Sequence, residues 1–308
     1  MSSPSAPSHG LPVRMPRPRQ SGRHRRPEPV SAPEDAPALV LAVPGGPSAE
    51  ARSLADEVLS IARSELPGLD ARLGFTEGGA TAQGGEDGED GEDGGEGEFP
   101  TLAGVLSRVA AERGESAEQQ PSAVVVPLLA GPDGARLRVL RQEVLGSGSG
   151  AVLTDVLGPH PLLAEAVHVR LSEAGLARAD RARLFTVATA ADGIVLATAG
   201  GDEAVQAAGI TGMLLSARLA VPVLAAALDQ EGAVTETARK LTEAGSQQLA
   251  LAPCLIGPEI PEGLLEAAAE EAGCPTAQPL GAYPAIGRLV LSAYMSEVGI
   301  TPQSAQTR

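Results

Sequence analysis

The chain has 308 residues, a net charge of −16 and 43% hydrophobic residues, of which very few are aromatic. That length suits one large α/β domain or two smaller lobes whose core is built from Ala, Val and Leu. So acidic a body excludes general nucleic-acid binding, which needs Lys and Arg against phosphates, and no apolar run approaches the ~18 residues of a membrane helix.

Residues 1–37 carry six Arg against three acids and are rich in Pro and Ser, which reads as a disordered basic tail. The tail has no apolar segment of the secretory kind, so the expectation is a cytoplasmic protein. The first fold-like segment is the strand 38–43 in "ALVLAVPGGP", feeding a helix over 49–65. "DARLGF" (70–75) is a second strand. It is followed by "GEDGEDGEDGGEGEF" (Gly85 to Phe99), part of a segment 78–98 that holds eight acids and no base. Leu102, Val105, Leu106 and Val109 then recur at helical spacing up to Gly114. "SAVVVPLL" is a continuous apolar strand, and "ARLRVLRQEVL" a short helix. "AVLTDVLG" reads as a fourth strand, and Pro161 opens a helix with Leu163, Val167 and Leu171 on one face, ended by Gly175. His168 lies off that face and is expected in solvent.

The pattern then repeats. "ALVLAVPGGP" (38–47) aligns with "GIVLATAGGD" (193–202), "VPLLAGP" (126–132) with "APCLIGP" (252–258), and "LGPHPLLAEAV" (157–167) with "LGAYPAIGRLV" (280–290). Three matches in one order are an internal duplication. The offset drops between the first and second matches, which places the acidic run inside copy one as an insertion. The expected organisation is a tail (1–37), an N-terminal lobe (38–175) with the insertion 78–98, a linker (176–192), a C-terminal lobe (193–298) and a tail (299–308). Alternating apolar strands and helices predict α/β lobes with mostly parallel four-stranded sheets, and ligands beyond the carboxyl ends of the strands. Cys254 and Cys274 are too few and too far apart for a disulfide framework or a CxxC pair, so they read as buried or free thiols. The glycine turns "PGGP" and "AGGD" lack the GxGxxG pattern of a dinucleotide site and read as tight strand-to-helix turns.

"LVLAVPGG", "LPGLDARLGFTE", "VVVPLLAG" and "VLGPHPLLAEAV", followed by the weaker second copy, resemble the sirohydrochlorin chelatase family, over about residues 38–297. The resemblance implies two lobes facing across a cleft and insertion of cobalt or iron, the divalent metal being substrate, into a tetrapyrrole of cobalamin or siroheme biosynthesis. It implies no organic cofactor and no nucleic-acid or membrane partner; a protein partner would engage the tails. The family places one His after the first strand and another after the third. Here those places fall on Pro44 or Gly45 and near Ala135, and neither loop holds a His.

On this resemblance Glu77 in "GFTE" is the acid that assists metal delivery or proton transfer, and His160 is the remaining imidazole on the ligand side. Glu77 and His160 are thus the catalytic and metal-binding candidates. Arg136 and Arg138, with Gly45 and Gly46, are the substrate-binding candidates, the arginines meeting the carboxylates of the pigment. The alternative is a degenerate paralogue that binds a tetrapyrrole, a metal or a protein without turnover. A two-lobed small-molecule binding protein is a third reading.

Overall fold

A computed structural model describes residues 31–77, 99–113, 120–177, 190–257 and 259–300. The acidic run, most of the basic tail, the linker from 178 to 189 and residues 301–308 lie outside these. Copy one runs β1 (Ala38–Val43), α1 (Ala49–Glu65), β2 (Ala71–Phe75), α2 (Leu102–Arg113), β3 (Ala123–Pro127), α3 (Gly134–Gly146), β4 (Val152–Leu153) and α4 (Pro161–Glu173). Copy two runs β5 (Gly193–Thr198), α5 (Gly201–Leu219), β6 (Val223–Ala227), α6 (Ala233–Glu243), β7 (Leu249–Pro253), α7 (Leu264–Ala272) and α8 (Pro284–Val298).

Every strand pairing is parallel, as expected for apolar strands separated by helices. The sheet orders are β2-β1-β3-β4 and β6-β5-β7. The second sheet therefore has three strands rather than the expected four; the fourth place holds a single parallel bridge between Leu251 and Thr276. Pro275 and Pro279 flank that bridge and remove two ladder donors, which stops a strand from growing there. In copy one, the expected strand 151–158 is reduced to two residues in β4, and the rest runs on as a loop tied to β3 through Thr154 N–H to Val125 O and Leu157 N–H to Leu129 O.

β1 and β5 are buried along their whole length, so their apolar runs serve both faces of a sheet. The last helix of each copy packs on the other copy: α8 lies against α1 and β3, and α4 against α5 and β7. One apolar cluster accordingly runs through both lobes, joining Leu39, Leu41 and Val126 to Ile194, Leu196, Ile286 and Val290. Burying a Leu, Ile or Val side chain contributes about 1.5–3 kcal/mol each, so this shared cluster holds the two copies together. The α1–α8 crossing is close enough that a Cβ on Gly287 would lie 2.6 Å from Ile61 Cβ.

His168 is a correction to the sequence reading. It is only 3% exposed, and its Nδ1 accepts a 2.8 Å bond from Arg218 Nε of α5. Helix α4 is covered on two sides, because α5 packs on the face that periodicity assigned to solvent. Both cysteines are free and buried, and burial pushes the Cys254 thiol up to about 12. Among the described residues no helix is long and apolar enough to cross a membrane.

Candidate functional site

In an open parallel sheet the ligand site lies beyond the strand ends where the strand order reverses. Here that point falls between β1 and β3 in copy one and between β5 and β7 in copy two. The loops to inspect are therefore 44–48, 128–133, 199–200 and 254–263.

The 44–48 loop turns sharply because Gly45 takes a φ of 85° and Ser48 then caps α1, its hydroxyl accepting a 3.1 Å bond from Ala51 N–H. Gly46 is exposed, and a Cβ there would lie 3.8 Å from Glu77 Oε2. The structure thus brings Gly46 and Glu77 together: the strand end of β2 sets its carboxylate over a bare stretch of backbone. Glu77 is exposed.

Arg136 and Arg138 divide. Arg138 stands exposed on α3. Arg136 is committed to the protein: its Nε donates to Asp133 Oδ2 at 3.0 Å and its Nη2 to the backbone carbonyl of Glu259 at 2.5 Å. Asp133 also caps α3 through Ala135 and Arg136 N–H, both at 3.0 Å.

His160 is the N-cap of α4. Its Nδ1 accepts a 3.0 Å bond from Leu162 N–H, and Pro161 supplies the first helical turn. Burial holds its imidazole below the ordinary histidine range, which favours the neutral ring. A neutral ring that accepts at Nδ1 carries its proton at Nε2, so in this arrangement His160 offers an N–H. Serving as a metal ligand requires it to give up the cap.

Among the described residues no group of three or more His, Cys, Asp or Glu is placed to hold a metal ion. A Cβ on Gly200 would meet Pro132 O at 2.5 Å, and one on Gly131 would meet Thr198 Oγ1 at 3.8 Å, so the loops of the two copies touch. Two cavities lie elsewhere. One, of about 520 Å³, runs along the first half of α1 past Glu50, Ser53, Leu54 and Glu57 to Ala282 of copy two. The other, of about 390 Å³, lies beside His168 and Arg218 and is walled by Leu176, Ile194, Leu219 and Val221.

The residue that sequence reasoning missed is Glu259, which is 3% exposed at the junction of the two copies. Its carboxylate accepts from Ile256 N–H at 2.8 Å, Gly257 N–H at 2.6 Å and Ala130 N–H of the β3 loop at 3.4 Å. A signal was present, because extending "VPLLAGP" and "APCLIGP" by one residue aligns Asp133 with Glu259.

No family model matches the chain, and no curated protein matches it by sequence. Solved structures do match. Sirohydrochlorin chelatase SirB from Bacillus subtilis subspecies spizizenii in complex with cobalt aligns with a TM-score of 0.55 at 13% identity, over 85% of this chain and 96% of that one. SirB from Bacillus subtilis with Fe3+ aligns with a TM-score of 0.59 at 14% identity, over 85% and 96%. CbiX, the terminal enzyme for biosynthesis of siroheme in denitrifying bacteria, aligns with a TM-score of 0.51 at 15% identity, over 84% and 98%. At these identities the likeness is one of fold: the chain has a chelatase-like fold.

Proposed function

We propose that the chain inserts a divalent metal, cobalt or iron, into a tetrapyrrole at the strand-end rim of copy one. The observation that carries the reading is the bare Gly46 backbone beside the Glu77 carboxylate, at the strand-order reversal of a chelatase-like fold. A flat ring needs a surface without side chains, and metal insertion needs a carboxylate near its edge. Two pyrrole N–H protons leave as the cation enters. Glu77 is the group to meet the cation and to take one proton in exchange, the second passing to solvent at the exposed rim. Arg138 is free to hold a peripheral carboxylate of the pigment, and Nε2–H of His160 offers a further donor as long as the cap stays formed. The reaction sits in the cytoplasm on this reading.

A specific observation favours a second reading, binding without turnover: the described residues hold no ready cluster of metal donors, and neither strand-end loop carries a His. The test is the absorbance of sirohydrochlorin on adding Co²⁺ or Fe²⁺. Metal insertion shifts the spectrum faster than in the protein-free control, and Glu77→Ala cuts that rate by roughly 10²-fold or more, the usual weight of one positioned acid or base. A pigment spectrum perturbed by the protein with no faster metal uptake selects the binding reading. If neither pigment nor metal binds, both readings fail.

A further inference from the structure

We propose that Glu259 is a proton-closed clasp between the two copies, holding the loop after β3 against the loop after β7. Ile256 and Ala130 occupy matching places in the repeat, "LIGPE" against "LAGPD". Both amides donate to the same oxygen, Oε1, at 2.8 and 3.4 Å, while Gly257 N–H donates to Oε2 at 2.6 Å. One carboxyl oxygen is therefore shared by equivalent amides of the two copies. The matching acid of copy one, Asp133, turns back to cap its own helix, so the crossing is made from copy two alone.

Three N–H donors favour an ionised carboxylate, whereas complete burial favours the neutral acid. Among the described residues no cation offsets the burial: the guanidinium of Arg136, itself paired with Asp133, binds the backbone carbonyl of Glu259 rather than its carboxyl. Cys254, which the neighbouring Glu259 helps to push upward, adds no positive charge. Burial wins, and the carboxyl of Glu259 lies above the ordinary range for glutamate. Oε1 has both acceptor sites filled and Oε2 has one free, so a proton placed on Oε2 leaves all three bonds in place.

The sign follows from linkage. An acid whose pKa is raised in the closed state binds its proton more tightly there than when hydrated, so the closed state is favoured as pH falls and loses that contribution as pH rises through the raised value. Ionisation draws the carboxylate towards water and frees the β3 loop.

The test is amide hydrogen exchange on the full chain between about pH 5 and pH 8, corrected for intrinsic rates. Ala130 in the wild type loses protection by up to about tenfold for each pH unit between the ordinary carboxylate pKa and the raised one, and levels off above the raised value, as expected when one proton controls closure. In Glu259→Gln, which has no charge to lose, the protection of Ala130 becomes independent of pH; in Glu259→Ala it is low throughout. Protection that is flat or rises with pH in the wild type overturns the proposal, as does full protection in Glu259→Ala. Should the Ala variant not fold, the wild-type titration against Glu259→Gln decides alone. Metal uptake does not enter this test, so the clasp and the proposed reaction stand or fall separately.

Discussion

Copy one starts its helices on side chains, whereas copy two starts three of its four described helices on glycines. Ser48, Asp133 and His160 accept from the first amides of α1, α3 and α4, and Thr101 Oγ1 does so for Gly104 at the head of α2. In copy two Gly200, Gly232 and Gly263 open α5, α6 and α7 in left-handed conformations, and none of these helices has a side-chain cap. A glycine N-cap is weaker than Ser, Asp or Asn by only a few tenths of a kcal/mol, so copy two has slightly less local support at each of these helix starts. It also lacks the fourth strand. The loop after β3 and the loops after β5 and β7 touch one another, while Gly46 after β1 and Glu77 after β2 stay exposed. The difference teaches that contact loops and an exposed rim lie side by side at the strand ends, the rim on β1 and β2 of copy one.

The sharpest way to break that comparison is at the two glycine turns, where Gly200 is the counterpart of Gly45 and is set against its neighbour Gly46. Gly200 has a φ of 112°, and a Cβ there would meet Pro132 O at 2.5 Å, so Gly200→Ala combines a strained backbone with a clash against main chain of the other copy. The expected loss is about 3 kcal/mol, read from denaturant melts. Gly46→Ala in copy one meets nothing nearer than Glu77 Oε2 at 3.8 Å and should stay within about 0.5 kcal/mol of wild type. Equal effects at the two sites would remove the distinction between contact loops and exposed rim.

A smaller effect is expected in the exchanged helices. The repeat aligns Gly287 of α8 with Ala164 of α4. Gly287→Ala gains helix propensity of about 1 kcal/mol but forces a Cβ to within 2.6 Å of Ile61 Cβ and 3.1 Å of Val58 O, for a net loss of about 1–2 kcal/mol. Ala164→Gly tests the mirror position and should lose about 1 kcal/mol from propensity and a lost buried methyl. If Gly287→Ala is stabilising, the α1–α8 crossing is looser than described.

The elements in chain order were legible because strands, helices and glycine turns are local patterns: β1, α1, β3 and α4 start where the apolar runs and caps place them. The duplication was legible for the same reason. What periodicity cannot tell is which neighbour covers a face. His168 was assigned to solvent from the Leu163, Val167, Leu171 stripe, yet the partner on its side is a helix of the other copy. The missing fourth strand of copy two was readable from Pro275 and Pro279, but the symmetry of the repeat argued the other way. At the candidate site, the Gly46 and Glu77 positions followed from strand ends. The commitment of Arg136 to Asp133 and to the Glu259 carbonyl did not, since it depends on how two distant loops meet.

The smallest expected change in stability is also the one that separates structure from chemistry. His160 does two things on the readings above: it caps α4 through Nδ1, and it offers Nε2–H at the rim. Asn is among the best N-cap residues, its side-chain oxygen accepting the same Leu162 amide, so His160→Asn should change stability by no more than about 0.5 kcal/mol. His160→Ala, which removes the acceptor, should lose about 1 kcal/mol. Copy two supplies the natural control, because Tyr283 at the matching position makes no cap bond and α8 still forms behind Pro284. If His160 takes part in metal uptake, the Asn variant melts like wild type and takes up metal more slowly. If the imidazole serves only the helix, the Asn variant matches wild type in both measurements while the Ala variant falls in stability alone.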